Sequence, residues 1–199
     1  MAPTEPLLSA RPEGGRVSHD TDDFDAVVYD LDGTLVRLAV DWDAVAREAA
    51  DRFAEAGVDA SDADLWAMLD LADEHGLRDA VEAVLVSHER QGAIRSTRLP
   101  AADCLAEATG PVGVCSLNAE VACRVALDTH GLADDVDAVV GRDSVATRKP
   151  HPEPLLTTIR RLDATPERTL FVGDSERDAV TADRAGTAFR YVDGGPSGH

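Results

Sequence analysis

The sequence is short of basic residues, and this shortage limits the partners that the protein can bind. Lysine and arginine together number 19 against 38 aspartates and glutamates, so the formal net charge is −19. Lys149 is the only lysine. Nucleic acids and anionic membranes bind to basic surfaces, so we expect neither to be a partner of so acidic a chain.

Aromatic residues, cysteines and long apolar runs are also scarce. Aromatics make up 4% of the 199 residues, so leucine, valine and alanine must form most of the core. The three cysteines include no Cys-x-x-Cys pair, which argues against a disulfide framework or a zinc site. No apolar run approaches the ~20 residues of a transmembrane helix. The acidic, lysine-poor composition predicts a salt-adapted cytoplasmic protein, although a merely acidic protein from a GC-rich genome fits it too.

Alternating apolar runs predict the fold. The stretch Met1–Asp23 is rich in proline, glycine and acids, and it predicts a disordered leader without a signal-peptide pattern. Beyond it, five short apolar runs alternate with helical patterns, which predicts an α/β fold: a doubly wound parallel sheet with a Rossmann-like core. The predicted strands cover residues 25–30, 112–117, 137–140, 169–172 and 188–192.

A helical insert interrupts this pattern after the first strand. Apolar residues at three- and four-residue steps predict three helices, beginning at Trp42, near Ser61 and at Leu77. Ser61 and Asp62 are the expected caps of the second helix, and Trp42 and Trp66 are expected to pack between the helices. The predicted domains are therefore a core of residues 24–35 and 96–199 and a small helical cap of residues 36–95.

Polar side chains follow four of the predicted strands. In a doubly wound sheet, the site lies beyond the carboxyl ends of the strands, so residues that follow separate strands come together there. This edge collects carboxylate, hydroxyl, amide and ammonium groups. Their combination indicates a functional site more specifically than any single motif does. The candidate site residues are Asp30, Asp32, Gly33, Thr34, Ser116, Asn118, Lys149, Asp174 and Asp178.

Asp30 and Asp32 give the strongest chemical signal. Carboxylates two residues apart at a strand end project on the same side of the chain and repel each other. Mg²⁺ relieves such repulsion, because it takes carboxylate oxygens and still has room for a phosphate. Gly33 permits a backbone conformation that a side chain would forbid. An ordinary acidic Asp-Gly turn is the alternative for this stretch alone.

Four ordered motifs resemble those of the haloacid dehalogenase superfamily. They are Asp30-Leu-Asp-Gly-Thr34, Ser116, Lys149-Pro150 and Gly173-Asp174-Ser175-Glu-Arg-Asp178. The resemblance covers nearly the whole chain from Phe24 and is to the phosphatase branch, phosphoglycolate-phosphatase-like, with a shorter helical cap. It implies a Mg²⁺-dependent phosphatase that acts on a small phosphorylated metabolite through an aspartyl-phosphate intermediate.

Chemistry and resemblance together imply a role for each residue. Asp30 is the nucleophile, and Asp32 is the general acid and then the general base. The predicted metal ligands are Asp30, Asp174 and the backbone carbonyl of Asp32. Ser116 and Lys149 are expected to hold phosphoryl oxygens, as are Thr34 and Asn118. Asp178 and Gly33 are expected to support the site.

Several alternatives remain open from the sequence alone. A phosphomutase, a dehalogenase and a phosphonate hydrolase belong to the same superfamily, although Asp32 argues against the last two because they need no acid to protonate an alkoxide. A catalytically idle regulatory or binding module would not need Asp30, Lys149 and Asp174 together. The sequence indicates neither the particular substrate nor the oligomeric state.

Overall fold

Five short strands form one parallel sheet, as the sequence predicts, and the first four of them along the chain are buried at every position. The computed structural model describes residues 23–192. The elements in chain order are β1 (Ala26–Tyr29), β2 (Val36–Arg37), α1 (Trp42–Glu55), α2 (Leu65–His75), α3 (Arg78–Ile94), β3 (Thr97–Arg98), β4 (Val112–Cys115), α4 (Glu120–Thr129), β5 (Ala138–Val140), α5 (Glu153–Arg161), β6 (Thr169–Gly173), α6 (Glu176–Ala185) and β7 (Ala188–Tyr191).

The order of the strands creates a switch point at β1. The sheet runs β5-β4-β1-β6-β7, and all of these neighbours pair in parallel. The chain passes outward from β1 through β4 to β5 and then crosses back to β6 on the other side of β1. The carboxyl ends of β1, β4 and β6 therefore open onto one crevice, where α/β proteins bind their ligands.

Both faces of the sheet are covered. Val27 and Tyr29 pack with residues of α4 in one apolar cluster, whereas Ala26 and Val28 pack with α5 and α6 in another. Alternate side chains of a strand point to opposite faces, and strands buried on both faces are continuous apolar runs, like Ala26–Tyr29. The doubly wound α/β prediction is therefore confirmed.

The three helices α1 to α3, here called the helical insert, share an apolar cluster of their own. The insert leaves and rejoins the rest of the chain through an antiparallel ribbon of β2 and β3. The sequence does not predict this ribbon, because two-residue strands show no periodicity. Helix α2 begins at Leu65, capped by Asp64, so the predicted caps Ser61 and Asp62 are wrong. Asp64 accepts a hydrogen bond from the Ala67 amide at 2.8 Å, which satisfies one free N–H of the first turn.

Two predictions are not decided by these elements. The division into a core and a cap domain stays a prediction, and the predicted leader lies outside the described residues except for Asp23. Within residues 23–192, no helix combines the length and the apolar character needed to cross a membrane.

Candidate active site

Neighbouring strands bring the predicted site residues to one edge of the sheet. Asp30 follows β1, Ser116 follows β4 and Asp174 follows β6, and β1 lies between the other two. Lys149 reaches the same place from the loop between β5 and α5. All four side chains are buried although they are polar, so the fold must compensate their charges and hydrogen bonds locally.

Lys149 is the centre of this polar cluster. Its Nζ donates to Asp30 Oδ1 at 2.7 Å, to Asp178 Oδ1 at 2.6 Å and to the Cys115 carbonyl at 3.1 Å. Burial alone would lower the pKa of Lys149, but the charges of Asp178 and Asp30 more than offset it, so the pKa is raised. Lys149 therefore carries its charge at the end of β1.

Three buried carboxylates lie close together in this cluster. Asp30, Asp174 and Asp178 each place a carboxylate oxygen within 4.8 Å of the others. Burial raises the pKa of Asp30 and Lys149 opposes this, while the charges of Asp178 and Asp174 add to the rise. Three carboxylate oxygens this close to one another form a group that can hold a divalent cation.

The backbone at Gly33 lies directly against this cluster. Gly33 has φ of +89°, and a Cβ built there would lie 2.2 Å from Asp174 Oδ2. Only glycine fits this approach without moving the Asp174 carboxylate. The turn after β1 thus brings its main chain next to a second strand end.

Asp32 lies apart from the three clustered carboxylates, although it lines the same cleft. Its Oδ1 accepts a hydrogen bond from the Leu38 amide at 2.8 Å. Burial raises the pKa of Asp32 to about 6 against the opposing effect of the Leu38 bond, and the charge of Asp174 adds to the rise. A carboxyl group with this pKa can both give and take a proton near neutrality.

Asp178 orients Lys149 from the first turn of α6. Its Oδ2 accepts from the Ser175 hydroxyl at 2.5 Å and from the Ser175 amide at 3.3 Å, while the Asp178 amide donates to Ser175 Oγ. This capping box fixes the carboxylate, and Oδ1 remains available for Lys149. The structure therefore places Asp178 as a partner of Lys149.

The residues after β4 form a tight polar turn. Ser116 Oγ donates to Asn118 Oδ1 at 3.1 Å and accepts from the Asn118 amide at 3.2 Å. Both residues line the cleft. Thr34 is buried behind the cleft lining, and its Oγ1 has no hydrogen-bond partner among the described residues.

The cleft itself lies between the sheet edge and the helical insert, and its volume is about 1110 Å³. The insert contributes Trp42, Leu65, Trp66, Leu85 and Glu89. Trp66 packs on the insert cluster and also meets the guanidinium groups of Arg148 and Arg177, at 5.8 and 5.1 Å from its ring centroid. Trp66 therefore packs on the insert as predicted and also contacts two arginines, whereas Trp42 is 40% exposed.

Two buried charged residues near the site were not predicted. Glu89 lies on α3 and Arg142 follows β5, and they pair at 2.6 Å. The sequence does carry a signal for each. Glu89 continues the buried row of Val81 and Leu85 at four-residue steps, and an acid on an apolar helix face needs a partner. Arg142 lies two residues after the end of β5, and residues that follow strand ends are candidates for the site.

An acidic cleft at the switch point of a doubly wound sheet is typical of an α/β enzyme. Residues 24–186 match the model of the haloacid dehalogenase-like hydrolase family. The chain is 31% identical over 183 residues to phosphoglycolate phosphatase of Cereibacter sphaeroides strain ATCC 17029, with 82% of each chain covered. The chain therefore belongs to the haloacid dehalogenase-like hydrolase family.

Solved structures show the same fold. A haloacid dehalogenase-superfamily hydrolase of subfamily IA from Geobacter sulfurreducens has a TM-score of 0.57 at 24% identity, covering 83% of this chain and 88% of that one. CbbY from Rhodobacter sphaeroides, in complex with phosphate, has a TM-score of 0.62 at 22% identity, covering 86% and 87%. The predicted membership of this family of enzymes, with relatives in its phosphatase branch, is thus confirmed.

Proposed function

We propose that the protein is a Mg²⁺-dependent phosphomonoester hydrolase that acts on a small phosphorylated metabolite through an aspartyl-phosphate. The observation that carries the proposal is the buried Asp30 carboxylate, held by Lys149 beside Asp174 and Asp178 where the cleft meets the end of β1. A nucleophile needs such fixed geometry, and a phosphoryl group needs the neighbouring positive charge. A cytoplasmic location stays part of this proposal.

The acidic cluster suits a magnesium ion. Asp30 and Asp174 would hold it with the Asp32 carbonyl, and the observation that fits this ion is the closeness of the buried carboxylate oxygens, which lie within 4.8 Å of one another. Bound there, Mg²⁺ supplies charge compensation for the carboxylates and for the phosphoryl oxygens. Asp178 is already engaged by Lys149 and Ser175, so we assign it to orienting the lysine.

The side chains divide the reaction into two displacements. In the first, a carboxylate oxygen of Asp30 attacks phosphorus, the ester P–O bond breaks, and Asp32 gives its proton to the departing alkoxide. In the second, Asp32 takes a proton from water, whose oxygen attacks phosphorus and releases inorganic phosphate from Asp30. The Lys149 ammonium already donates its three N–H groups within the cluster, so it acts on the phosphoryl group through its positive charge. Ser116 holds a phosphoryl oxygen, and Thr34 and Asn118 support the loops that carry the site.

Two arginines favour a substrate with a second anionic group. The cleft is lined by Arg37, Arg142 and Arg177, of which only Arg142 is bonded to acids within the described chain. Arg177 contacts the Trp66 ring, which leaves its N–H groups for a ligand. The relatives in Cereibacter sphaeroides are phosphoglycolate phosphatases, and phosphoglycolate carries a carboxylate beside its phosphate. We therefore include phosphorylated carboxylic acids in the proposed substrate class.

Trapping the phosphoenzyme tests the reaction itself. Asp30→Asn removes the nucleophile, whereas Asp32→Asn keeps it and removes the base for the second displacement. After a brief mix with an aryl phosphate and Mg²⁺, intact-protein mass should show a phosphate adduct on Asp32→Asn and none on Asp30→Asn. Loss of the base typically slows a step ~10²–10⁴-fold, which is enough to accumulate the intermediate. An adduct on both variants would assign the nucleophile to another residue.

A matched substrate pair tests the second anionic group. Phosphoglycolate and ethyl phosphate differ by the carboxylate, and Arg177→Gln should lower kcat/KM for phosphoglycolate about ten-fold, the scale of a lost charge-assisted hydrogen bond. Ethyl phosphate should be hydrolysed at the parent rate. Arg47→Gln, on the exposed side of α1, is the control. Equal losses on both substrates would remove Arg177 from substrate recognition without touching the proposed chemistry.

A further inference from the structure

A buried ion cluster joins the helical insert to the edge of the sheet. Arg142, from the loop after β5, pairs with Glu82 at 2.6 Å and with Glu89 at 2.6 Å, and both acids lie on α3. The side chains of Arg142 and Glu89 are each only 1% exposed. Burying charged groups costs free energy unless hydrogen bonds satisfy all of their donors and acceptors. We therefore expect each of these groups to have a defined set of partners.

Arg142 has no donor left for a ligand. Nε and Nη2 donate to Glu82 at 3.0 and 2.6 Å, Nη1 and Nη2 donate to Glu89 at 2.6 and 3.2 Å, and Nη1 also donates to the Leu117 carbonyl at 2.7 Å. These five bonds account for the five N–H groups of a guanidinium. Although Arg142 lines the cleft, its position is that of a structural bridge and not of a substrate anchor.

Glu89 also contacts the loop after β4. Oε2 accepts from the Ala119 amide at 3.0 Å, and Oε1 accepts from Asn118 Nδ2 at 3.4 Å. Asn118 in turn exchanges hydrogen bonds with Ser116. Together Glu89 and Arg142 hold the three residues that follow Ser116, by a carbonyl, a side-chain amide and a main-chain N–H.

We propose that Glu89 is a positioning residue, through which α3 of the insert sets the loop that presents Ser116 to the phosphoryl group. The proposal rests on the proposed phosphatase function, because it assumes that Ser116 binds phosphoryl oxygens. Glu89 itself is paired with Arg142 and touches no reacting atom. Its contribution is to fix the loop and the Asn118 side chain, and so the position of Ser116 Oγ, before the substrate arrives. The Ser116 hydroxyl then only has to rotate its proton from Asn118 Oδ1 to a phosphoryl oxygen.

Glu82 provides a matched control for this role. It is on the same helix and bonds the same guanidinium, and in the described chain its other partner is Arg78 at 3.6 Å. Among the described residues, no hydrogen bond joins Glu82 to residues 116–119. Loss of its charge disturbs the ion cluster without releasing the loop, so a merely structural role for the cluster predicts equal effects at Glu82 and Glu89.

The test compares Glu89→Gln with Glu82→Gln in the full chain. Four donors surround the Glu89 carboxylate, so either orientation of a glutamine amide points an N–H at another donor. With Mg²⁺ present, the Kd for inorganic phosphate by calorimetry and the KM should each rise about ten-fold in Glu89→Gln, the scale of one lost charged hydrogen bond. In Glu82→Gln both should stay within about two-fold. Equal changes in the two variants, or no change in Glu89→Gln, would overturn the proposal.

One further measurement and one further variant allow the proposal to be tested even if the protein shows no activity or if Glu89→Gln does not fold. Amide exchange of Ala119, followed by NMR, should speed up about ten-fold in Glu89→Gln and remain at the parent rate in Glu82→Gln. If the parent neither hydrolyses phosphomonoesters nor binds phosphate, the proposed function fails, while this exchange still reports whether Glu89 holds the loop. Should Glu89→Gln fail to fold, Glu89→Gln/Arg142→Gln removes both charges together, and the same rise in the phosphate Kd is expected.

Discussion

The titration of Asp32 should make the stability of the metal-free protein fall as the pH rises. Burial is the main reason that the pKa of Asp32 rises from 3.8 to about 6, and the nearby Asp174 charge adds to it. The folded state therefore binds a proton that the unfolded chain has already lost between about pH 4 and pH 6. The stability contributed by this group is present below about pH 4 and is lost as the pH rises through 6.

The size of the effect follows from the shift. About two pKa units correspond to about 3 kcal/mol of unfolding free energy. Asp32→Asn removes the titration and keeps an acceptor for the Leu38 amide, whose bond to Oδ1 is 2.8 Å. The unfolding free energy of the parent should thus fall by about 3 kcal/mol relative to that of Asp32→Asn between about pH 4 and pH 7.

Urea unfolding in excess chelator and a fixed molar KCl concentration measures this difference at each pH. Asp43→Asn, in the exposed first turn of α1, controls for the loss of one negative charge and should show a smaller change with pH. The reasoning about burial would be refuted if the difference in unfolding free energy between the parent and Asp32→Asn stayed constant from pH 4 to pH 7. It would also be refuted if the parent became more stable relative to Asp32→Asn over this range.

Magnesium, salt and the Gly33 backbone each give one further test. Phosphatase activity should disappear in excess chelator and return with Mg²⁺, and full turnover in chelator would contradict the metal assignment. The net charge of −19 predicts an unfolding midpoint that rises between dilute buffer and molar KCl, because the Debye length falls from ~10 Å at 0.1 M to ~3 Å at 1 M. Gly33→Ala should lower kcat at least ten-fold and cost about 1–3 kcal/mol of stability, since its Cβ would lie 2.2 Å from Asp174 Oδ2 at φ of +89°. Parent-like kcat and unfolding in Gly33→Ala would show that the loop can move aside.

The sheet could be predicted because four of its five strands are buried at every position. Runs such as Ala26–Tyr29 and Val112–Cys115 carry no charged residue, and polar residues or proline bound each of them. The two-residue strands β2 and β3 have no such pattern, and their pairing depends on residues about 60 positions apart. The eight residues Pro100–Glu107 form a 3₁₀ helix, and periodicity over so short a segment does not distinguish a 3₁₀ helix from an α-helix.

The candidate site was predictable where chemistry and chain position coincide. Asp30, Ser116 and Asp174 each follow a strand, and topology alone brings strand ends together. Glu89 and Arg142 depend instead on a helix packing across the cleft, and they are separated by 53 positions. Nothing local specifies that pairing. The sequence shows only that Glu89 is an acid on an otherwise apolar helix face and that Arg142 is a charged residue just beyond a strand end.

The single lysine links the unusual composition to the chemistry of the site. Every other basic residue of this chain is arginine, whose planar fork donates in fixed directions within one plane. Lys149 instead donates three bonds from one atom, to Asp30, Asp178 and the Cys115 carbonyl, at 2.6 to 3.1 Å. These acceptors come from β1, α6 and β4, so they converge on a point and not along an edge. A compact ammonium suits this arrangement, whereas a guanidinium of larger volume would displace the buried carboxylates. The composition that favours arginine elsewhere therefore has a physical reason to keep lysine here.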